Sequence, residues 1–175
     1  MKYRSKYLSP IGKILLTADN AGLTGLWFET GKPFGPKTSP EYVAAEIPLF
    51  IEVKRWLDLY FSGQEPNFMP QMHVEGSPFQ KIVWEMLQRI PYGTTVTYGA
   101  LAEEAAGRLG RKKISARAIG GAVGRNKIAI LIPCHRVVGS RGCLTGYSGG
   151  LDKKIYLLTL EGADIKSNGS DNFIS

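Results

Sequence analysis

The sequence predicts an α/β protein in two parts, a small N-terminal antiparallel β-sheet with one helix and then a mainly α-helical half. Two observations support this fold class. Apolar, β-branched runs separated by turn residues fill the first 30 positions. After residue 76, helix-start signals precede apolar residues spaced three and four apart. Because residues 63–76 are polar and contain proline, we interpret them as a linker and divide the chain into 1–75 and 76–175.

The first part is predicted to contain three strands and one helix. The strands are expected near 2–8, over 13–18 and over 23–28, with turns at 9–12 and 19–22. Residues 29–40, rich in Gly, Pro and Lys, are predicted to form a loop. A helix starting near Pro48 follows, because four apolar residues recur at helical spacing: Phe50, Val53, Leu57 and Phe61. His73, in the linker, is expected at the surface.

Four helices are predicted in the second part. The first opens at Ser77-Pro78-Phe79-Gln80, which combines an N-cap, a proline and a capping-box glutamine. Its buried stripe is predicted to be Phe79, Ile82, Val83, Met86, Leu87 and Ile90. The other helices are expected over Tyr98–Ala106, Ala116–Val123 and about Asp152–Glu161, with Thr97 and Ser115 as N-caps, Gly107 and Gly162 as stops, and Leu151, Ile155 and Leu158 inward. The tail from Lys166 to Ser175 is polar and expected to be loose.

The charge of the chain is unevenly distributed. The net charge is +7, yet residues 1–75 hold eight basic and eight acidic side chains, so the whole excess lies in 76–175. This asymmetry favours a polyanionic partner, nucleic acid first, although charge alone fits a basic protein without such a partner equally well. We see no signal peptide, membrane span, cofactor motif or metal-ligand spacing, and two cysteines nine residues apart give no disulfide framework. We therefore expect a cytoplasmic protein without cofactor or metal.

The most reactive candidate is Cys134, which precedes His135 between two apolar runs. A cysteine becomes a strong nucleophile as a thiolate, and a nearby imidazole is the usual base. Neighbouring side chains point in different directions, so a bridging water is the natural link between the two. The imidazole also needs an orienting partner. Glu161 is a candidate, because its negative charge at a helix C-terminus opposes the helix dipole and so indicates a function.

The helices predicted over Tyr98–Ala106 and Ala116–Val123 form either a helix-turn-helix pair or an ordinary helical hairpin. The second of these helices has small residues, among them Ala116 and Gly120, and a single long polar side chain, Arg117. Reading base edges in a major groove needs several such side chains, so this helix favours close contact with a nucleic-acid backbone or a narrow groove, with little sequence preference. We place Ser115 and Arg125, at the two ends of this helix, in the same contact surface.

Pro133-Cys134-His135-Arg136-Val137, with Asn126 before it and Gly146-Tyr147-Ser148-Gly149-Gly150 after it, resembles the active-site region of O6-alkylguanine-DNA alkyltransferases. The resemblance covers residues 76–162 closely and the first 75 loosely. It implies a ribonuclease-H-like roll followed by a winged helix-turn-helix-type DNA-binding domain. It also implies transfer of an alkyl group from O6-alkylguanine, and from O4-alkylthymine, in double-stranded DNA to Cys134 of a monomeric protein.

The same resemblance assigns roles to individual residues. Arg117 fills the gap left by a flipped nucleotide, and Tyr98 pushes the phosphate and supplies a proton near N3 of the base. A Glu161–His135–water–Cys134 relay generates the thiolate. The remaining pocket residues bind guanine through the Ser148 N–H and the carbonyls of Cys134 and Val137, with Tyr147 as a wall and Gly149 in a tight loop. Asn126 pins the turn before Cys134 or caps the preceding helix, and both roles are compatible.

One segment departs from the family. The turn around Arg108-Leu109-Gly110-Arg111-Lys112-Lys113 is longer and more basic than expected, since such turns are usually three or four residues. We predict that it adds phosphate contacts. Cys143 is expected to be a loop packing residue.

We expect a single turnover per molecule, because the product is a thioether and no group in the sequence could cleave it. Three other function classes are compared with this one. A lesion-flagging protein would lack the nucleophile. A redox-sensing helix-turn-helix regulator would need a base-reading helix and a resolving cysteine. A cysteine hydrolase would turn over repeatedly and would not need the basic half.

Overall fold

The computed structural model describes residues 1–30 and 40–165. The chain divides into two compact units, Met1–Glu75 with Lys127–Leu131, and Gly76–Asn126 with Ile132–Ser175. The short segment 127–131 therefore belongs with the first unit, whereas the sequence analysis assigned it to the second. Most of the predicted loop 29–40 and the whole predicted loose tail lie outside the described residues.

The first unit contains a four-stranded sheet in the order β3-β2-β1-β4, formed by β1 (Lys2–Ser9), β2 (Gly12–Ala18), β3 (Leu23–Phe28) and β4 (Tyr42–Ala44). The first three strands are confirmed and pair antiparallel. The fourth strand, which the sequence did not predict, adds to the antiparallel sheet at its edge and runs parallel to β1. Three residues are too few to show the alternation by which a strand is recognised in a sequence.

Helix α1 (Pro48–Phe61) supplies the helical part of the first unit's core. Pro48 is its first residue, as predicted, because the missing N–H of proline costs nothing there. Phe50, Val53 and Leu57 are fully buried, but Tyr60 is buried in place of Phe61. The buried positions Ile14, Leu16 and Ala18 alternate along β2 and contribute to the core of the sheet, as do buried residues of β3: Leu23, Leu26 and Phe28.

The outer edge of β3 is covered by two segments from elsewhere in the chain. The N–H of Leu23 donates to the carbonyl of Gln71 at 2.9 Å, and the N–H of Leu26 donates to that of Lys127 at 2.8 Å. Part of the predicted linker is therefore bound to the sheet. His73 is partly exposed, and its Nδ1 lies at hydrogen-bond distance, 2.6 Å, from Asp19 Oδ2, a partner that the sequence did not predict.

As far as residue 165, the second unit contains four α-helices: α2 (Pro78–Gln88), α3 (Tyr98–Leu109), α4 (Ala116–Gly124) and α5 (Leu151–Leu160). Two short parallel strands, β5 (Val96–Thr97) and β6 (Val137–Val138), accompany them. The capping box between Ser77 and Gln80 is confirmed, as are the N-caps Thr97 and Ser115. Among the described residues no helix is long and apolar enough to cross a membrane.

Helix α3 ends three residues later than predicted. Gly107 lies inside the helix, and the left-handed residue that ends it is Gly110, with φ +63°. The N–H groups of Gly110 and Arg111 bond to carbonyls of the last turn, so Gly110 is the residue that closes α3.

The buried stripes of α2 and α5 differ partly from the predictions. Trp84 is buried and its Nε1 donates to the carbonyl of Ala122 at 2.8 Å, whereas Phe79 and Ile82 are partly exposed. In α5, Lys154 and Leu157 are buried along with Leu158, and Gly162 follows at φ +73° as the predicted stop.

Candidate active site

Cys134 begins a short 3-10 turn, Cys134–Arg136, directly after a tight bend at Pro133. The N–H of Cys134 donates to the carbonyl of Ile132 at 2.8 Å, which closes a three-residue turn around Pro133. Asn126 fixes both ends of this bend, because its Nδ2 donates to the same carbonyl at 2.9 Å and to Cys134 Sγ at 3.2 Å. The C-cap position of α4 is Arg125, and the N–H of Asn126 donates to the carbonyl of Val123 at 3.2 Å, so Asn126 pins the turn and also bonds to the end of the helix.

His135, the residue after Cys134, forms a buried pair with Glu161. His135 Nε2 lies 2.8 Å from Glu161 Oε1, and both side chains are fully buried. Nδ1 of His135 is buried and has no hydrogen-bond partner among the described residues. Burial lowers the pKa of His135, although Glu161 opposes this, so the imidazole is neutral at pH 7. A neutral imidazole that donates through Nε2 keeps a lone pair on Nδ1.

Arg136 completes the pair into a triad that sequence reasoning missed. Its Nε lies 2.9 Å from Glu161 Oε2 and its Nη2 lies 2.8 Å from Oε1, while Nη1 donates to the carbonyl of Ile90 at 2.7 Å. Burial raises the pKa of Glu161, but the hydrogen bonds from His135 and Arg136 more than offset it and hold the pKa at about 2. Glu161 is therefore an ionised, fixed acceptor.

Lys154 is a second missed residue. It is 1% exposed, and its Nζ donates to the carbonyl of Val137 at 2.6 Å and to that of Thr145 at 3.2 Å. Burial lowers its pKa to about 8. Its spacing gave a signal, because Lys154 lies three residues after Leu151 and four before Leu158, on the face predicted to be buried.

The groups around Cys134 act on the pKa of its thiol in opposite directions. Cys134 is 6% exposed, and this burial raises its pKa. The hydrogen bond from Asn126, the charge of Lys154 and the hydroxyl of Tyr147 all favour the thiolate and oppose the rise. Burial, followed by the neighbouring Cys134, raises the pKa of Tyr147 itself well above its usual value, so this phenol stays protonated. The surroundings thus supply several groups that stabilise a negative sulfur.

A cavity of about 500 Å³ opens beside α3 and α4. Tyr98, Ala116 and Gly120, all of them predicted site residues, line it together with Gly139, Thr145 and others. The Tyr98 oxygen accepts a hydrogen bond of 3.2 Å from Thr145 Oγ1.

The loop over residues 146–150 is closed by a hydrogen bond of 2.8 Å from the N–H of Gly150 to the carbonyl of Tyr147. Gly150 has a left-handed backbone at φ +102°. Ser148 in this loop is exposed, Gly149 is buried, and Val137 on β6 is buried. The thiol of Cys143 is free and partly buried, in keeping with the packing role expected for it.

The exposed side of α4 is smooth and carries few charges. Ser115, Ala116, Arg117 and Arg125 are exposed, and the Ser115 hydroxyl accepts from the N–H of Ala118 at 3.0 Å. The turn before α4, Gly110–Ser115, carries three exposed cations, Arg111, Lys112 and Lys113, above a buried Ile114. Arg108 lies in α3 and bonds to Glu104 at 2.7 Å, so the predicted basic turn is shorter than 108–113.

Comparison with known proteins identifies this architecture. A family model of the 6-O-methylguanine DNA methyltransferase DNA-binding domain matches residues 78–163, and a model of the ribonuclease-like domain matches residues 2–70. The methylated-DNA–protein-cysteine methyltransferase of Methanosarcina acetivorans is 45% identical over 161 residues, which are 92% of this chain and 99% of that protein. This chain belongs to the O6-methylguanine DNA methyltransferase family.

Solved structures of the O6-methylguanine DNA methyltransferase family agree with the fold. The crystal structure of the Mycobacterium tuberculosis O6-methylguanine methyltransferase matches with a TM-score of 0.78 and 36% identity, over 93% of each chain. The same M. tuberculosis protein in complex with DNA matches with a TM-score of 0.78 and 36% identity, over 91% of this chain and 92% of that one. The predicted fold class, a ribonuclease-like part followed by a DNA-binding part, is therefore confirmed.

Proposed function

We propose that this methyltransferase repairs DNA by moving the alkyl group of O6-alkylguanine, or of O4-alkylthymine, irreversibly to Cys134, once per molecule. The observation that carries the proposal is a buried cysteine held by Asn126 next to the His135–Glu161 pair, in a member of this family. The geometry suits nucleophilic catalysis, in which a base beside the nucleophile is itself oriented by a third group.

The thiolate forms by proton transfer to His135. Glu161, ionised and fixed by Arg136, accepts the Nε2–H of His135 and so leaves Nδ1 as the basic nitrogen. We infer that one water bridges Nδ1 and Cys134. Asn126 and Lys154 then stabilise the negative sulfur with a hydrogen bond and a nearby positive charge.

The transfer is a displacement at carbon. A sulfur–carbon bond forms as the carbon–O6 bond breaks, and guanine keeps the electron pair. In our proposal the Tyr98 hydroxyl supplies a proton near N3, the N–H of Ser148 contacts O6, and the carbonyls of Cys134 and Val137 accept from the exocyclic amine. Val137 can accept from guanine and Lys154 together, because a carbonyl oxygen has two lone pairs. Tyr147 and the Gly149 loop shape the pocket.

The alkylated base must leave the duplex before it can react, because a stacked O6 substituent is out of reach of a buried thiol. Extrusion costs on the order of a few kcal/mol, and less for a weakly paired base. We propose that the smooth face of α4, with Ser115, Ala116 and Gly120, lies close to the DNA. Arg117 then occupies the gap left by the flipped nucleotide, and Arg125 contacts a phosphate.

Each molecule is expected to react once, since the thioether product is a poor leaving group. We further propose that the protein acts as a monomer, without cofactor, in the cytoplasm, since its nucleophile needs a reducing compartment to remain a free thiol.

An intact-mass measurement tests the function. The protein is incubated with duplex DNA that carries one O6-methylguanine, and the modified peptide is then mapped. We expect a gain of one methylene mass that saturates at one per molecule, maps to Cys134, is lost in Cys134→Ala and is kept in the matched control Cys143→Ala. DNA binding without any mass gain would overturn the proposal in favour of lesion flagging or regulation.

A further inference from the structure

Thr145 lines the wall of the cavity and makes hydrogen bonds to the side chains of Tyr98 and Lys154. Its Oγ1 hydroxyl donates a hydrogen bond of 3.2 Å to the phenolic oxygen of Tyr98. Its Cγ2 methyl lies toward Gly139, where an added Cβ would stand 3.2 Å from it. Its backbone carbonyl accepts a hydrogen bond from Lys154 Nζ at 3.2 Å. The hydroxyl of Thr145 is therefore directed at Tyr98, while its methyl group is on the side of Gly139.

This hydrogen bond determines what Tyr98 can do with its own proton. A phenol has one proton to donate and an oxygen that accepts. Because Thr145 supplies the proton of their shared hydrogen bond, the proton of Tyr98 is left to point into the cavity that both residues line. A hydroxyl that accepts one hydrogen bond is polarised and donates the next one more strongly.

We propose that Thr145 is a positioning residue that turns the Tyr98 hydroxyl proton toward the flipped base and so assists the departure of guanine. The proposal rests on the proposed function, in which Tyr98 supplies a proton near N3. As the sulfur–carbon bond forms and the carbon–O6 bond breaks, the electron pair stays on guanine. The Tyr98 proton moves to N3, solvent water returns a proton to Tyr98, and Thr145 keeps its own proton throughout.

The test compares Thr145→Val, which removes the hydroxyl at nearly constant shape, with Thr145→Ser, which keeps it. Transfer is measured as a single-turnover rate on duplex DNA carrying one O6-methylguanine, with saturating protein. We expect Thr145→Val to slow transfer by roughly fivefold, the loss of one ordinary hydrogen bond. Thr145→Ser and the exposed control Thr159→Val should transfer like the unchanged protein. Duplex affinity should be equal in all variants.

A double-mutant cycle with Tyr98→Phe separates this role from a merely structural one. In the Tyr98→Phe protein, adding Thr145→Val should slow transfer no further, because the two residues act through one hydroxyl. Alkylation of Cys134 by iodoacetamide releases no base, so its rate should be the same in every variant. Two results overturn the proposal and leave Cys134 as the acceptor. One is an unchanged transfer rate in Thr145→Val. The other is that Thr145→Val slows transfer by the same factor in the Tyr98 protein and in the Tyr98→Phe protein. Failure of the unchanged protein to methylate Cys134 overturns the proposed function itself.

Discussion

At the scale of single residues, Glu161 concentrates the polar interactions of the site. It accepts from His135 and Arg136 and from the N–H of Gly93, all within 3.3 Å, with its carboxylate fully buried. Sequence reasoning found His135 and Glu161, because a carboxylate at a helix C-terminus breaks a local rule. It gave no role to Arg136 or Lys154: the spacing of Lys154 indicated the buried face of α5, but a sequence does not show which distant groups pair with a buried basic side chain.

Glu161→Gln should both destabilise the protein and slow transfer. The amide leaves Arg136 as a buried charge without its partner, which costs roughly 3–5 kcal/mol in comparable buried pairs. Urea unfolding and the transfer rate measure the two effects. The matched control is Glu104→Gln, whose exposed pair with Arg108 should matter by less than about 1 kcal/mol. Equal losses in the two variants would contradict a special role for Glu161.

Lys154 should make stability depend on pH above neutrality. Its pKa is about 8 in the folded protein against an ordinary value of 10.5, so the unfolded chain binds more protons between these values. The contribution of Lys154 to the free energy of unfolding therefore rises with pH from about 8 upward. Cys134 and Tyr147, whose pKa values are raised, act in the opposite direction above about 9 and 10. Unfolding free energies at pH 7.5 and 9 should show this rise lost in Lys154→Met, and an unchanged rise would contradict the assignment.

At the scale of elements, the sequence predicted the strands and helices with strong periodicity and located their caps. It failed where an element is short or is held by distant backbone. Strand β4 has three residues, and 71–73 is fixed by hydrogen bonds to Leu23, for which no local pattern exists. The predicted stop of α3 was Gly107, but the helix ends at Gly110, and a sequence does not distinguish these two glycines.

Two glycines of α3 should respond oppositely to the same change. Gly107→Ala should stabilise the protein by about 0.5–1 kcal/mol, because Gly107 is inside the helix and the space around it is open. Gly110→Ala should destabilise the protein by about 1–2 kcal/mol, because Gly110 has a left-handed backbone at φ +63°. Nothing lies within 4 Å of an added Cβ, so the whole cost is that of the backbone conformation. Thermal unfolding of both variants is the measurement. Destabilisation by Gly107→Ala would contradict a helical Gly107, and stabilisation by Gly110→Ala would contradict a left-handed Gly110.

At the scale of the whole molecule, the excess positive charge lies in the half that carries Cys134. In the structure, some of these cations are bound to partners within the protein, so they do not add to the exposed positive charge. Arg136 and Lys154 are buried in the site, and Arg108 is paired on α3. Arg111, Lys112 and Lys113 remain exposed on one turn, where they are well suited to phosphate contacts.

Replacing Arg111, Lys112 and Lys113 with Ala should weaken duplex binding and flatten its dependence on salt. For every phosphate that is no longer neutralised, the slope of log affinity against log salt concentration falls by about 0.9. The control is Lys6→Ala with Lys13→Ala, two exposed cations of the first unit, which should leave the slope unchanged. Binding is measured by fluorescence anisotropy between 50 and 200 mM salt, roughly the range in which such slopes are resolved. An unaltered slope in the triple variant would show that this turn does not bind phosphates.

The hydrogen bond from Trp84 to Ala122 also gives α4 an intrinsic optical reporter. The indole is buried and its N–H ends on a carbonyl in the last turn of that helix. Indole emission shifts with polarity and hydrogen bonding, so any displacement of α4 on the duplex would be visible without a label. Replacing the other two tryptophans, Trp27 and Trp56, with Phe would leave Trp84 as a single emitter. Stopped-flow fluorescence could then time the engagement of α4 separately from the chemistry at Cys134.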